Sequence, residues 1–473
     1  MAFLASYCYR ISDSIIEGGF PVELQDIITD RDRLFLKDDI PEEYKMDYSY
    51  KNVAEAFAVA LPKTTEEVIS LVTYADKEAR PIIARGAGTG VAGSQVPIHG
   101  GELIIDVKHM NRIIGLDEET MTLTVEPGVL LKDIQAFVEE KGYFYPPDPG
   151  SKHSSIGGNI ATNAGGMRAV KYGTTRDYVR EMEVVLPDGK HVTLGSLNIK
   201  NSSGYDLKNL FIGSEGTLGI TTKIKLKVLP LPKHKQSILL AFSTLTDATN
   251  GVLTILKNGI EPTALELFER DTISYSEKFT NLSLQSQKGE AYLLMTIDSN
   301  EEDTINRKVN TVVQLLSDEA LEIIPLKGEE EDRAWMLRDN ILVALMQFTE
   351  YEMLDEVVPI NKFAEMINYT KELQEKHGIK VINFGHAGDG NVHTVLMKEE
   401  LDDSTWQTRR KALLDDLYRK VAELGGLPSA EHGIGIMKKA YFNTMSDPVE
   451  LEVMRKIKNA LDPKCIFNPG KLF

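Results

Sequence analysis

Two histidines flank a turn in the stretch NFGHAGDGNVH, residues 383–393. The runs KVINF and HTVLM on either side predict strands, so His386 and His393 are expected to face each other at the mouth of a hairpin. Two imidazoles so placed can share one cation, and Glu431 in SAEHGIG (429–435) is a candidate third ligand. Three protein ligands leave positions for water or substrate, as a catalytic metal requires. The alternative is a hairpin that two histidines merely cap.

Helices and strands are predicted in mixed order upstream of these motifs. Thr64, with Glu67 three residues on and apolar residues at helical spacing, predicts a helix over 64–79 that Pro81 ends. A second helix is expected to end near Gly142. Short apolar runs predict strands at 81–84, 103–107 and 122–125.

The first glycine-rich loop, RGAGTGVAGSQVP, runs from Arg85 to Pro97. Gly88, Gly90 and Gly93 formally match the dinucleotide fingerprint, but that fingerprint requires a helix to open at the glycines, and here another strand is expected. A nicotinamide-binding Rossmann site is therefore disfavoured. Glycines still let backbone N–H groups surround an anion, and Arg85 adds positive charge, so the loop suits a pyrophosphate. The alternative is a tight turn with no ligand.

Two further glycine clusters follow. Residues 145–173 combine prolines, glycines and small polar residues in a stretch too long and irregular for a simple connection, which is typical of a segment that wraps a ligand. Its asparagines and threonine offer hydrogen bonds to a polar ring edge. The third cluster, GSEGTLGI at 213–220, leads into a predicted strand.

Composition narrows the classes of protein. The chain has 473 residues, 42% of them hydrophobic, and a net charge of -18, which fits two or three globular cores and disfavours nucleic-acid binding. No run approaches the roughly 18 apolar residues of a membrane span, and the N-terminus lacks the pattern of a secretory signal, so a cytoplasmic protein is expected. Cys8 and Cys465 are the only cysteines, which argues against a disulfide framework and against an iron–sulfur cluster in this chain.

Several unusual motifs in one order resemble the FAD domain of the vanillyl-alcohol oxidase superfamily. They are RGAGTG, PDPG with IGGN and NAGG, and GSEGTLG. Within that superfamily, NFGHAGDGNVH, SAEHGIG and DPKCIFNPGK (462–471) are similar to the branch of D-lactate dehydrogenases, glycolate oxidases and D-2-hydroxyglutarate dehydrogenases. The likeness covers nearly the whole chain from about residue 50. The run NAGGMRAVKYGTTRDYVR most resembles bacterial lactate dehydrogenase flavoproteins that work with an electron-transfer flavoprotein.

The resemblance implies an α+β fold: a vanillyl-alcohol-oxidase-type FAD-binding domain plus a cap domain with an antiparallel sheet and flanking helices. A Pro-rich joint at 228–235, after which glycine clusters cease, places the boundary near 233. The expected divisions are an N-terminal segment (1–52), the FAD-binding domain (53–232), the cap or substrate domain (233–430) and a C-terminal segment returning to the FAD domain (431–473).

The resemblance also indicates the residues that contact FAD. Gly88 and Thr89 stand in the loop where some relatives carry a histidine that tethers FAD covalently, so noncovalent FAD is expected. The expected contacts are Arg85, Gly86, Ala87, Gly88, Thr89, Gly90, Ser94, Pro147, Asp148, Ile156, Gly157, Gly158, Asn159, Thr162, Asn163, Gly165, Gly166, Tyr172, Gly173, Gly219, Ile220 and Asn468.

The metal set proposed above is supported by the same likeness. His386, His393 and Glu431 match the family's metal ligands, whereas Asp389 is expected to shape the turn. Imidazole and carboxylate ligands admit zinc, manganese or iron.

The resemblance implies oxidation of a 2-hydroxy acid, with hydride passing to the flavin. His432 matches the family's catalytic histidine and would remove the hydroxyl proton, the alternatives being a metal ligand or a packed core residue. Arg338 matches an arginine that grips the substrate carboxylate, although a surface salt bridge is an alternative. Leu342 and Met353 stand where hydroxyglutarate enzymes carry Thr and Lys, which favours a short monocarboxylate such as D-lactate or glycolate.

The electron acceptor is expected to be a second protein. An electron-transfer flavoprotein is the first choice and a separate iron–sulfur subunit the second; the polar N-terminal segment either contributes to such an interface or is merely solvated. Two other classes of protein stay open: an FAD-binding companion subunit without catalysis, and an FAD-dependent transferase that makes ether lipids.

Overall fold

The computed structural model describes residues 23–48, 50 and 54–473. Residues 1–22 (Cys8 among them), 49, 51 and 52 of the first predicted segment, and residue 53, lie outside the described residues. The strands are β1 (Leu34–Leu36), β2 (Ala58–Ala60), β3 (Ile82–Arg85), β4 (Leu103–Asp106), β5 (Ile113–Asp117), β6 (Thr122–Val125), β7 (Tyr143–Phe144), β8 (Val179–Val185), β9 (His191–Gly195), β10 (Ile220–Lys227), β11 (Leu229–Pro230), β12 (His234–Phe242), β13 (Ala264–Glu269), β14 (Ala291–Ser299), β15 (Glu322–Leu326), β16 (Tyr351–Met353), β17 (Glu356–Val357), β18 (Lys380–His386) and β19 (Asn391–Met397).

Helices alternate with these strands along the chain. They are α1 (Leu24–Ile27), α2 (Thr65–Lys77), α3 (Leu131–Glu139), α4 (Ile156–Thr162), α5 (Ala169–Tyr172), α6 (Thr175–Tyr178), α7 (Leu207–Phe211), α8 (Leu245–Lys257), α9 (Arg270–Thr280), α10 (Glu302–Leu316), α11 (Glu329–Asp339), α12 (Ile341–Met346), α13 (Phe363–His377), α14 (Asp403–Glu423), α15 (Lys439–Met445) and α16 (Pro448–Leu461). Among the described residues, no helix is long and apolar enough to cross a membrane.

A four-stranded sheet, in the order β1-β2-β4-β3, begins the molecule, and β2, β4 and β3 are parallel. The predicted helix over 64–79 is α2, which connects β2 to β3. The Thr64 hydroxyl accepts the Glu67 N–H at 3.2 Å, but the Glu67 carboxylate accepts the Lys63 N–H and pairs with Arg33. Helix α2 buries one apolar face against the core. This packing positions β3 and therefore the first glycine loop, which begins where β3 ends.

The first glycine loop leads from β3 to β4 without forming a helix between residues 86 and 102. The prediction that a Rossmann helix does not open here is confirmed. A five-stranded antiparallel sheet, in the order β5-β6-β10-β8-β9, lies next in the chain, and the third glycine cluster leads directly into β10 as expected.

An eight-stranded antiparallel sheet occupies the second half of the chain. Seven of its strands follow the order β15-β12-β14-β13-β18-β19-β16, and β17 pairs with β19. Alternate residues of β12 enter two separate cores: Ile238 and Leu240 pack with α8, α10, α13 and α14, while Leu239 packs with α9, α11 and α12. Helices on both faces therefore hold the sheet rigid.

The two predicted strands around NFGHAGDGNVH are β18 and β19, which form the expected hairpin. His386 pairs with Asn391, and His393 pairs with Phe384, so the histidines are diagonal neighbours. Because side chains alternate along a strand, both imidazoles leave the same face of the sheet.

The C-terminal residues return to the first sheet. Phe467 forms a parallel bridge with Ile82, and the Asn468 N–H donates to the Ile82 carbonyl at 2.7 Å. The buried Lys458 ammonium donates to the carbonyls of Thr217 and Phe467. These bonds attach the chain after residue 431 to the part that carries the glycine loops.

Candidate active site

The hairpin brings His386, His393 and Glu431 together. The Nε2 atoms of His386 and His393 lie 3.3 Å apart, and Oε1 of Glu431 lies 3.5 Å from His386 Nε2. Ligand atoms of all three residues lie within 4.8 Å of one another. The second glycine cluster reaches the same place, because the Gly165 N–H donates to Oε2 of Glu431 at 3.1 Å.

A buried glutamate fixes the orientation of His386. Oε1 of Glu266 lies 2.7 Å from His386 Nδ1, and Oε2 accepts from Nε of Arg338 at 2.8 Å. Burial opposes ionisation of Glu266, but the charges of Arg338 and His386 outweigh it and lower the pKa of Glu266 to about 2. Since the ionised carboxylate can only accept hydrogen bonds, His386 Nδ1 carries the hydrogen and Nε2 points toward His393.

The other side of His393 faces Asp355. Its Nδ1 lies 3.7 Å from Oδ1 of Asp355, and His432 Nδ1 lies 3.8 Å from Oδ2. Asp355, His393 and His432 thus form a second set with metal-ligand spacing. However, Asp355 already pairs with the buried Lys438 ammonium at 3.5 Å and accepts several other hydrogen bonds, so a cation there would meet a positive charge. The first set is the better candidate.

The residues of the first set fit a divalent cation. Burial and the neighbouring His386 lower the pKa of His393 to about 3, so its ring is neutral. Burial opposes the charge of Glu431, but the hydrogen bond and charge of His386 lower its pKa and keep it ionised. Burial lowers the pKa of His386, but Glu266 and Glu431 outweigh it and raise that pKa, so a cation would have to displace the proton on its Nε2. Two imidazole nitrogens and one carboxylate then provide the ligand types that zinc, manganese and iron accept.

His432 lies beside this set and borders the main cavity. Its ring stacks on that of His393, with centroids 5.5 Å apart and an interplanar angle of 11°. Burial lowers the pKa of His432 and Lys438 lowers it further, while Asp355 opposes them. Its Nδ1 has no hydrogen-bond partner within the described part of the chain. Because Nδ1 is buried beside Asp355, Nε2 is the nitrogen through which the neutral ring can accept a proton from the cavity.

A cavity of about 1040 Å³ runs from the glycine loops to this histidine cluster. Its walls approach so closely that a Cβ on Gly86 would lie 2.3 Å from Ser155 Oγ, and that hydroxyl accepts the Ala87 N–H at 3.2 Å. Asn159 is 3% exposed, borders the cavity and has no partner for Nδ2 among the described residues. Glycine backbone and an unpaired buried amide donor fit a large polar cofactor with ring edges and a pyrophosphate.

Most of the residues expected to contact FAD border the cavity. These are Arg85, Gly86, Ala87, Gly88, Thr89, Gly90, Ser94, Asp148, Gly157, Gly158, Asn159, Thr162, Gly219 and Ile220. The Arg85 guanidinium, however, is 7% exposed and donates to the Glu43 carbonyl at 2.9 Å and, at longer range, to the Met46 and Gln95 carbonyls. It therefore holds neighbouring backbone in place around the loop.

The other expected contacts are not among the residues that border the cavity, and their contact with FAD stays a prediction. They are Pro147, Ile156, Asn163, Gly165, Gly166, Tyr172, Gly173 and Asn468. Ile156 is fully buried in a hydrophobic core, and the Tyr172 hydroxyl donates to Asp298. The Asn468 amide donates to the Glu215 carbonyl at 2.8 Å. A Cβ on Gly166 would lie 2.0 Å from the Asp148 carbonyl, so this glycine allows two backbone segments to touch. The structure gives these residues roles in shaping the wall.

Near Arg338 the cavity is bordered by the apolar Leu342, Val343, Met346, Met353 and Phe384 and also by the polar Asp339, Asn340 and Gln347. Arg338 borders it too, with Nε and Nη2 committed to Glu266 and Nη1 lying 3.7 Å from Asp339.

Three important acids were not among the sequence-predicted site residues: Glu266, Asp355 and Glu215. Glu266 is the single charge in the apolar run ALELF, and that isolation was the available signal. Asp355 follows β16 and lies 0% exposed, while Glu215 lies in the third glycine cluster. Nothing in their local sequence distinguishes the last two from acids that shape ordinary turns.

Comparison with known proteins agrees with this arrangement. Residues 56–195 match an FAD binding domain, and residues 231–472 match the C-terminal domain of FAD linked oxidases. A D-lactate dehydrogenase of Anaerostipes hadrus is 39% identical, covering 93% of this chain and 94% of that protein. Glycolate oxidase subunit GlcD of Bacillus subtilis is 37% identical, covering 88% of each. FAD is therefore confirmed as the predicted cofactor.

The solved structure of p-cresol methylhydroxylase with bound substrate has the same fold, with a TM-score of 0.80 over 95% of both chains at 18% identity. The α+β fold class expected from the motifs is confirmed.

Proposed function

The chain belongs to the FAD-linked oxidases, and from that premise we propose that it dehydrogenates a short D-2-hydroxy acid, D-lactate first, to the 2-oxo acid. The observation that carries the proposal is the convergence of His386, His393 and Glu431 beside His432, at the apolar end of the cavity that the glycine loops form. The relatives named D-lactate dehydrogenase and glycolate oxidase support the same substrate class.

The chemistry needs two groups that this chain would hold. Noncovalent FAD along the glycine loops would supply the hydride acceptor. A divalent cation on His386, His393 and Glu431 would supply a Lewis acid that lowers the pKa of the substrate hydroxyl.

His432 is the proposed base. Its low pKa keeps the ring neutral, and its position on the cavity wall lets a ring nitrogen take the hydroxyl proton. Stacking against His393 and burial limit the ring's rotation, so the accepting nitrogen is held in place.

Arg338 is the proposed anchor for the substrate carboxylate. Glu266 orients the guanidinium through Nε and Nη2. Nη1, which lies 3.7 Å from Asp339 Oδ1, is the proposed donor to the substrate. Glu266 also contacts Nδ1 of His386. The same carboxylate would therefore orient both Arg338, which binds the substrate, and His386, which binds the metal.

The apolar end of the cavity favours a small or apolar substrate side chain. Met353 is 7% exposed, and a second substrate carboxylate beside it and Leu342 would be desolvated without a partner. D-lactate and glycolate fit this end better than D-2-hydroxyglutarate, which is the alternative substrate.

The electrons are proposed to pass to a partner protein. The motif likeness to lactate dehydrogenases that use an electron-transfer flavoprotein makes such a flavoprotein the first candidate, and a separate iron–sulfur subunit the second. Two cysteines in the sequence are too few to bind a cluster through four thiolates.

The test is anaerobic. Purified, metal-replete protein is mixed in turn with D-lactate, L-lactate, glycolate and D-2-hydroxyglutarate, and the flavin absorbance is followed. We expect rapid bleaching by D-lactate in the parent and in His377→Ala, a histidine on α13 that pairs with Asp416, and none in His432→Ala. If no acid bleaches the flavin, the proposal fails, and a companion subunit without catalysis or a transferase becomes the better interpretation.

A further inference from the structure

Residues 429–435 carry both Glu431 and His432 and form neither helix nor strand. Backbone hydrogen bonds reach only the ends of this segment: the Ala430 N–H donates to the Asp355 carbonyl at 2.9 Å, and the Ile434 and Gly435 carbonyls accept from Lys438 and Leu472. Other groups must therefore hold the N–H groups between them. Two buried carboxylates, from different parts of the fold, do so.

Asp355 holds the first half of the segment. Its Oδ2 accepts from the Ser429 hydroxyl at 2.7 Å and from the backbone N–H groups of Ala430, Glu431 and His432 at 3.0, 3.0 and 2.9 Å. Asp355 is 0% exposed. Four donors on one ionised oxygen fix the backbone on both sides of the Glu431 side chain.

Glu215 holds the second half. Its Oε1 accepts the Ile434 N–H at 2.7 Å, and its Oε2 accepts the Gly435 N–H at 2.8 Å and the Ser94 hydroxyl. Gly433 has a φ of +84°, and a Cβ there would lie 2.9 Å from the Glu215 carboxyl carbon. Only glycine at 433 lets the chain pass so close to this carboxylate.

The two acids come from opposite sides of the site. Asp355 lies between β16 and β17, in the sheet that carries His386 and His393, whereas Glu215 lies in the third glycine cluster at the cavity. The segment is thus tied at one end to the histidine pair and at the other to the cofactor cavity.

We propose that Asp355 and Glu215 are positioning residues that act as a pair, Asp355 setting Glu431 and His432 against the histidine pair and Glu215 setting them against the cofactor. This extends the proposed function, on which its kinetic consequence rests. The hydrogen bonds themselves do not depend on that function.

Replacing Asp355 by Asn or Glu215 by Gln should break part of the hydrogen bonding between that side chain and residues 429–435. Oδ1 of Asp355 accepts from the Asn391 amide at 3.0 Å while Oδ2 faces the segment, so Asn at 355 must turn its NH2 toward one set of donors. Gln at 215 must likewise turn its NH2 toward the N–H of either Ile434 or Gly435. In both variants the buried side-chain NH2 faces another hydrogen-bond donor, although the size and shape of the side chain are preserved.

The first measurement is hydrogen exchange of individual backbone amides in the FAD-loaded protein. In the parent, the amides of residues 431, 432, 434 and 435 should exchange slowly, although their acceptors are side chains. Asp355→Asn should speed exchange at 431 and 432, and Glu215→Gln at 434 and 435, each by ~10-fold or more. Unprotected amides in the parent would overturn the proposal without any variant having to fold.

The second measurement is the anaerobic rate of flavin reduction by D-lactate. Each variant should lower the limiting rate by ~10–100-fold while the substrate dissociation constant changes less than ~3-fold and FAD content is unchanged. Glu356→Gln and Glu102→Gln are matched controls, since both residues are buried acids whose hydrogen bonds go to residues outside 429–435; they should keep the parent rate.

The outcomes separate the two proposals. If the segment loosens but the limiting rate stays at the parent value, or if exchange rises throughout the molecule, Asp355 and Glu215 are not positioning residues. If the parent flavin is not reduced by any hydroxy acid, the proposed function fails. The exchange pattern alone then decides whether Asp355 and Glu215 hold residues 429–435 in place.

Discussion

The Nε2 atoms of His386 and His393 lie 3.3 Å apart although the two residues are not paired across the hairpin. Each faces the other diagonally, and the hydrogen on His386 Nδ1 is directed toward Glu266. Such a pair is stable when a cation lies between the nitrogens, or when one ring donates a hydrogen to the other. The two arrangements can be distinguished by measuring bound metal.

We expect the amount of bound metal to depend on His386 and His393. His393→Ala should lose the bound divalent ion, from about one per chain to near zero, because a single imidazole and one carboxylate form a poor site. Elemental analysis after gel filtration measures it. His377→Ala, which alters a histidine near the surface, should retain the ion. Equal metal content in His393→Ala and the parent would rule out the predicted ligand set.

Glu266→Gln should weaken metal binding without removing a ligand. The neutral amide can present its NH2 to His386 Nδ1, which allows the other tautomer and misdirects Nε2. We expect the affinity, measured by competition with a chelator, to fall by ~10–100-fold. Glu269→Gln, on the same strand but paired with the exposed Lys371, should leave it unchanged. An unaltered affinity in Glu266→Gln would mean that this acid does not orient the ligand.

Sequence patterns predicted the local structure well. They did not predict the contacts, between residues far apart in the sequence, that hold the site residues in place. Short-range spacing predicted three features that the structure contains. They are the hairpin, the helix after Thr64, and a first glycine loop that connects two strands without a helix. Glu266 and Asp355 lie 120 and 38 positions from the histidines they contact, and no local pattern encodes such contacts. Tyr172, expected from a motif to contact FAD, does not border the cavity, and its hydroxyl donates to Asp298, so its contact with FAD stays a prediction. A motif does not show which side of a loop faces a ligand.

The substrate preference should shift when polar groups enter the apolar end of the cavity. In Leu342→Thr/Met353→Lys, a hydroxyl and an ammonium replace two cavity-facing apolar groups and can pair with a second carboxylate. The ratio of kcat/KM for D-2-hydroxyglutarate to that for D-lactate should rise by ~10-fold or more. Leu342→Ile is the control for size. A ratio that stays constant would place the substrate side chain elsewhere.

Gly86→Ala should release FAD. Its Cβ would lie 2.3 Å from Ser155 Oγ, so the first loop must move away from the segment that begins α4. We expect the purified variant to contain less than ~20% of the parent flavin. Gly150→Ala lies on the same cavity in open space and should keep its flavin, and adding Ser155→Ala should restore part of it to Gly86→Ala. Full flavin in Gly86→Ala would show that the first loop is not closely packed around the cofactor.

Glu356 should make the folded protein less stable as pH rises. It is 0% exposed, its Oε2 has no partner among the described residues, and burial raises its pKa from 4.5 to about 7. Between these values the folded state keeps a proton that the unfolded chain has lost, so stability falls as pH increases from 4.5 to 7 and is lowest above 7. Glu356→Gln keeps the Thr394 hydrogen bond and removes the charge. Urea unfolding should therefore show the variant about 3 kcal/mol more stable than the parent at pH 8 and nearly equal to it at pH 4.5. Glu372→Gln, at an exposed position on α13, should match the parent within about 0.5 kcal/mol at both pH values, and a pH-independent difference for Glu356→Gln would mean that the buried carboxyl ionises normally.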